Sequence, residues 1–382
     1  LNILRLVPTD KRSPQVKLPP PLVSPHDSSR PIADRARSYL HVNCSHCHRF
    51  GAGGTADIDL QWTTPLAQMK INNVSPVQGT FGIARAKIIA PGEPYRSVLL
   101  LRMAKAGPGH MPHLGPQLLD VRGALLIHDW IASLAVRHPA DQPALQTVLA
   151  KLQTLNTIQD SQSLRETLAP FLSRSDLALA LFLATLRDPP PQSLRPEIIQ
   201  LTSQHSDPVV RELFESLVPP ERRVPRLGRI VRPETILAIR GDVNRGRERF
   251  FRNPSLQCGN CHRINSQGTD FGPDLSAIGK KYSRRQILES ILEPSKFIEP
   301  QFTAWALETK DGRVYVGLLV SRTDTEVTLR LPNATTVRIK QTEIERLAPQ
   351  AKSLMPELLL QDLTPEQAAD LVEFLSSLQG NN

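Results

Sequence analysis

Two hydrophobic periods divide this chain. Over most of it apolar residues recur every three or four positions, the spacing of helices that bury one face. From Pro31 the pattern runs through Ile32, Ala36, Tyr39 and Leu40. Over 120–134, Asp120 stands as an N-cap ahead of a stripe of Leu126, Trp130, Ile131 and Leu134. Helical patterns return at about 143–157, 163–173, 176–187, 194–204 and 208–218. Asp242 then caps a short helix carrying Val243, Gly246, Phe250 and Phe251. Finally, Thr364-Pro365-Glu366-Gln367 combines an N-cap, a first-turn proline and a capping-box glutamine ahead of Leu371, Phe374, Leu375 and Leu378. Residues 302–347 keep a different period. Thr303–Glu308, Val314–Val320, Val327–Leu331 and Thr336–Ile339 alternate as strands, divided by turn signals at Asp311-Gly312 and Pro332-Asn333.

The candidate chemistry is concentrated in the cysteines. All four fall in two copies of one pentapeptide, Cys44-Ser45-His46-Cys47-His48 and Cys258-Gly259-Asn260-Cys261-His262. C-x-x-C-H attaches c-type haem: the two thiols add across porphyrin vinyl groups, and the histidine becomes the proximal iron ligand. The copies lie 214 residues apart (258 − 44), so they belong to two separate sites. Other readings fit less well. A four-thiolate zinc site needs no histidine after each pair. A thioredoxin-like redox pair sits beside a βαβ pattern, and neither copy does. Structural disulfides have no reason to repeat one short spacing. Two covalently bound haem c groups are the expectation.

An iron held by histidine alone binds oxygen or peroxide, whereas a second protein ligand closes it for electron transfer. No histidine follows His262, and the only methionine after Met111 is Met355, 93 residues beyond that histidine (355 − 262). Met355 is therefore the candidate for the second iron, against the alternative of a core methionine. Met111 holds the matching place in the first region, within His110-Met111-Pro112-His113. Its rivals are Met69, Met103, His110 and His113. Each proximal ring also needs an acceptor for its second N–H. Phe271-Gly272-Pro273-Asp274-Leu275 follows His262 at a suitable distance, with the Pro273 carbonyl as acceptor and Leu275 against the haem face. The first region has Gly51-Ala52-Gly53-Gly54 and Ile58-Asp59-Leu60 instead, and leaves the acceptor for His48 open. His128 and His205 are expected to be helix or surface residues.

Together these patterns predict a mainly α chain. An arm occupies 1–30, a first cytochrome c domain 31–138, an α-helical connector 139–240, and a second cytochrome c domain 241–382. The second domain carries a small antiparallel β insert at about 302–347. Ser206-Asp207-Pro208-Val209-Val210-Arg211 resembles the signature of HEAT-type repeats, so the connector is expected to be a small helical stack without chemistry. The helix before the second motif and the final helix are expected to cross closely at Gly246, with aromatics filling the contact.

Composition adds bounds rather than detail. With 40% hydrophobic and 22% charged residues the chain is ordinary for a soluble globular protein. Its formal charge of +9 admits acidic proteins, anionic membranes or nucleic acid as partners. Aromatic residues are only 5% and no basic run is interleaved with them, which argues against nucleic acid. Haem propionates would offset part of the charge. The longest apolar run, Leu177–Ala184, is too short to span a bilayer, so no transmembrane segment is expected. Haem joins C-x-x-C-H outside the cytoplasm, so the chain is expected in the periplasm or otherwise outside. Since it opens at Leu1 without a leader, it is expected to be a processed or C-terminal part of a longer precursor.

Two resemblances extend this reading over about two-thirds of the chain. Residues 241–382 resemble a haem-binding domain common in planctomycete-type bacterial proteins. The match runs through Cys258–His262, Phe271–Leu275, Ile291-Leu292-Glu293-Pro294-Ser295, the strand-rich insert, Ser353-Leu354-Met355-Pro356 and the final helix. Met355-Pro356-Glu357-Leu358-Leu359 lacks the glycine usual there after the glutamate, which bears on loop shape. Residues 35–135 resemble the C-terminal haem domain of another bacterial family of exported c-type proteins. Here the matching residues are Ala36–Leu40, Asn43–His48, Pro91-Gly92, Ser97–Leu100, Met111-Pro112 and Trp130-Ile131, and Leu1–Leu6 resembles the tail of a preceding domain. The resemblance implies cytochrome c folds, His/Met ligation and electron transfer outside the cytoplasm. It further implies redox protein partners, donor and acceptor, in a larger complex that often includes dehydrogenase modules. Two alternatives stand beside a diheme carrier: a diheme enzyme such as a peroxidase, with one open iron, and an assembly scaffold in which the haems are structural.

Overall fold

The computed structural model describes residues 20–49, 52, 56–76, 79–112, 119–135, 150–152, 157–158, 160–253, 256, 258–311, 313–332 and 335–380. The expectations for Leu1–Leu6, for His113, for most of 143–157 and for the Gly51–Gly54 run other than Ala52 lie outside the described residues.

Helix α1 (Ile32–Cys44) ends on the first cysteine of the first pentapeptide. Helix α2 (Val98–Ala104) follows, then α3 (Val121–Ser133), whose N-cap Asp120 accepts from the Gly123 amide at 2.9 Å. α1 and α3 meet at Tyr39 and Gly123. A methyl on Gly123 would lie 2.3 Å from the Tyr39 hydroxyl, so only glycine lets the aromatic in.

Helices α4 (Ser161–Leu172), α5 (Ser175–Arg187), α6 (Arg195–Ser203) and α7 (Pro208–Phe214) come next. Asp160 and Asp207 cap α4 and α7. The apolar run at 177–184 is the middle of α5, buried all round, as expected of a helix without a polar face. Phe182 meets Phe214 of α7 edge-on, ring centres 5.3 Å apart. These helices do not stand apart as a spacer. One continuous apolar core runs from Ala36 and Leu40 through Trp130 and Ile131 to Phe182 and Phe214.

A second core gathers Ile236 of α8 (Pro233–Leu237), Phe250 of α9 (Val243–Arg252), Leu288 of α11 (Arg284–Leu292) and the apolar face of α12 (Pro365–Ser376). Between them lie the short pair β1 (Arg263–Ile264) and β2 (Gln267–Gly268) and the helical turn α10 (Ile278–Lys281). Asp242 caps α9, and Thr364 with Gln367 forms the capping box of α12. α9 and α12 cross at Gly246, where a Cβ would lie 2.0 Å from the Asp370 carbonyl oxygen. Phe250 and Phe374 fill the contact at 5.8 Å. Asp370, its side chain 2% exposed, holds the crossing by accepting from the Asp242 amide (2.8 Å) and from Arg245 (2.9 Å).

The mainly α expectation is corrected by the sheet. About 43% of the structure is helical and 12% is strand, a mixed α and β architecture. Strands β3 (Ala304–Thr309), β4 (Val314–Arg322), β5 (Glu326–Arg330), β6 (Thr336–Lys340) and β7 (Ile344–Pro349) form one antiparallel sheet in the order β6-β5-β4-β3-β7. Register shifts at Glu308/Thr309 and Leu319/Ser321 bend it. Leu307, Tyr315, Val327, Leu329 and Ile339 give it a core of its own, so it is a structural layer rather than a minor insert in a helical chain.

Candidate haem sites

The two pentapeptides fold alike. In the first, the Cys47 and His48 amides donate to the Cys44 carbonyl at 3.1 and 2.9 Å. In the second, Cys261 and His262 donate to Cys258 at 3.1 and 2.8 Å. One tight turn thus sets two thiols and an imidazole in the same order at both places. All four cysteines are free thiols. Burial, with a smaller contribution from the neighbouring cysteine, pushes Cys44 and Cys258 up to about 12, the reverse of what a reactive thiolate pair requires.

At the second motif the histidine expected as proximal ligand is held in a fixed orientation. His262 Nδ1 donates to the Pro273 carbonyl oxygen at 2.8 Å. A carbonyl only accepts, so Nδ1 carries the proton and the neutral ring keeps its lone pair on Nε2. Burial keeps that ring neutral by pushing its pKa below the ordinary histidine value. Gly272 explains the motif around the acceptor: a Cβ there would lie 2.8 Å from His262 Cε1. The Gly272 amide also donates to the Cys261 carbonyl at 2.6 Å. Leu275 and Cys258 pack against the same core as Phe251 and Met355. Met355 is half-buried, and its loop is tied down where the Ser353 amide donates to Ser295 Oγ at 3.1 Å. The sheet reaches the loop that carries the Pro273 acceptor too. Arg330 of β5 pairs with Asp270 and lies over the Phe271 ring, centre 5.8 Å away. Nothing in the linear pattern singles out Arg330.

The first site repeats part of this plan. Cys44 packs on the first core, and the Leu60 amide donates to the His48 carbonyl at 2.8 Å. Asp59 accepts from the Gln61 amide at 2.9 Å, as Asp274 does from Ser276 at 2.8 Å, so an Asp-Leu turn follows each motif histidine. Of the rivals to Met111, Met69 (0% exposed) and Met103 (8%) are core residues. His110 Nδ1 is bound to the Lys105 carbonyl at 2.7 Å. Met111 is half-buried, with its amide on the Arg102 carbonyl at 2.9 Å. His128 bridges Asp129 and Tyr95, and His205 Nδ1 accepts from the Asp207 amide.

These residues fit a haem. At each motif the two thiols would hold the porphyrin and the imidazole would hold the iron, a donor set that need not converge on one point. Among the described residues no group of three or more His, Cys, Asp or Glu forms a bare-metal cluster. The remaining requirements, a fixed tautomer on His262 and a thioether on the same core, are met at the second site. Among the described residues no helix is long and apolar enough to cross a membrane. No protein-family model matches this sequence, and no curated protein does.

Proposed function

We propose that this chain is a diheme c-type cytochrome that passes electrons between redox proteins outside the cytoplasm, as a subunit or module of a larger complex. The observation that carries the reading is the hydrogen bond from His262 Nδ1 to Pro273, within a C-x-x-C-H turn repeated in backbone detail at Cys44–His48. Bound haem would supply one-electron chemistry, its iron alternating between ferric and ferrous. Cys44, Cys47, Cys258 and Cys261 would hold the two porphyrins, His48 and His262 the proximal side of each iron, Met111 and Met355 the distal side. Leu275 would pack on the second porphyrin, and the apolar cores would exclude water. None of these roles calls for an acid, a base or a nucleophile.

Spectroscopy of the purified exported protein tests this. Two low-spin haems are expected, each with the near-infrared sulfur-to-iron band of methionine ligation. Met355→Ala should abolish that band at one haem and let it bind cyanide, leaving the other unchanged. A wild-type haem that is already high-spin and reacts with peroxide would overturn the carrier reading in favour of a diheme enzyme.

A further inference from the structure

Beside the Met111 loop lies a buried cluster of ionisable side chains drawn from four segments. Lys105, at the end of α2 with its side chain 0% exposed, pairs with Glu212 of α7 at 2.7 Å. Arg226 pairs with Glu215 at 2.5 Å, both side chains no more than 12% exposed. Asp362, 7% exposed, approaches from the segment between Met355 and α12. The charges that act on Asp362 are those of Arg226, Lys105 and Glu212, and Arg102, His110 and Glu215 act on those in turn.

Backbone bonds fasten the Met111 loop, and the segment that follows Met355, to this cluster. The Ala106 amide donates to Glu212 at 2.8 Å, and the Met111 amide to Arg102 at 2.9 Å. On the other side, Leu227 and Gly228 donate to Leu363 and Gln361 at 2.8 and 2.9 Å. A methyl on Gly107 would lie 2.5 Å from the Arg226 guanidinium, so that side chain is pressed against the first methionine loop.

We propose that Asp362 is a redox-linked proton-binding site: its carboxylate takes a proton from water when an electron from a partner protein reaches a haem, and returns it when the electron leaves. The proposal rests on the diheme reading above. The balance is one electron added to ferric iron and a proton added to one carboxylate, both reversed on oxidation. Burial pushes the Asp362 carboxyl up to about 6; Arg226 and Lys105 pull it back down and Glu212 raises it further. An added electron raises it again, because negative charge nearby disfavours a carboxylate. By linkage, the haem potential must then fall as pH rises through this window.

Redox titration of the full holoprotein from pH 5 to 8 tests it. In wild type the midpoint of at least one haem should fall as pH rises through about 6. Asp362→Asn should lose that fall. Glu212→Gln, which removes the charge that raises Asp362, should move its onset to lower pH. Identical profiles in wild type and Asp362→Asn, flat or sloping, would overturn the proposal, since propionate titration would survive the substitution. A protein without covalent haem defeats the functional reading instead. Two reversible haems with unaltered profiles defeat only this inference.

Discussion

His262 has one ring nitrogen committed to Pro273, so whatever shifts residues 271–274 shifts the imidazole. Gly272→Ala would place a methyl 2.8 Å from the ring and should alter the paramagnetic resonance signature of one haem only. An unchanged signature at both would separate His262 from the iron. Asp370 gives a pH-dependent test. Burial raises its carboxyl, but hydrogen bonds from Arg245 and the Asp242 amide, with the Arg245 and Arg249 charges, outweigh that and hold it below the ordinary value. A depressed carboxyl adds stability above its unfolded pKa of about 3.9, and that stability is lost as pH falls through the folded value. Asp370→Asn should therefore cost about 1–3 kcal/mol in urea denaturation at pH 7, the deficit shrinking below about pH 4. At this scale the sequence was legible where chemistry fixes the spacing. A haem-ligating histidine would need an acceptor for its second N–H, and Pro273 offers one eleven residues on. Tyr39 against Gly123, or Arg330 over Phe271, depend on approaches between distant segments that no local pattern records.

Elements were legible where periodicity and caps agreed. Asp120, Asp242 and Thr364 all cap the helices that their neighbours' stripes imply. β7 was not legible. It carries Glu345 and Arg346 mid-strand, ends on Pro349 and is at most half-buried at the sheet edge, so its alternation is lost. Missing that strand understated the sheet, and with it the fold class. Gly246 tests the helix crossing. Its nearest contact is backbone, so Gly246→Ala must push α9 and α12 apart, at a cost of about 3 kcal/mol in denaturant unfolding. A near-neutral result would mean that the two helices do not cross so closely.

Across the whole molecule, the helices of 161–214 share their apolar core with the region around Cys44–His48, a long-range fact invisible to local pattern. Phe182→Ala, at a fully buried position far in sequence from either motif, should then destabilise that half by about 3–5 kcal/mol and lower the denaturation midpoint followed at the first haem. If only the helical signal moved, the two parts would be separate domains. The proposed electron transfer depends on porphyrin attached through thioether bonds at both pentapeptides. Intact-mass measurement of the exported protein, unfolded in acid, tests this directly. The polypeptide mass plus two haems is expected, falling by one haem when Cys258 and Cys261 are both replaced by alanine. A bare polypeptide mass in the wild type would contradict the account.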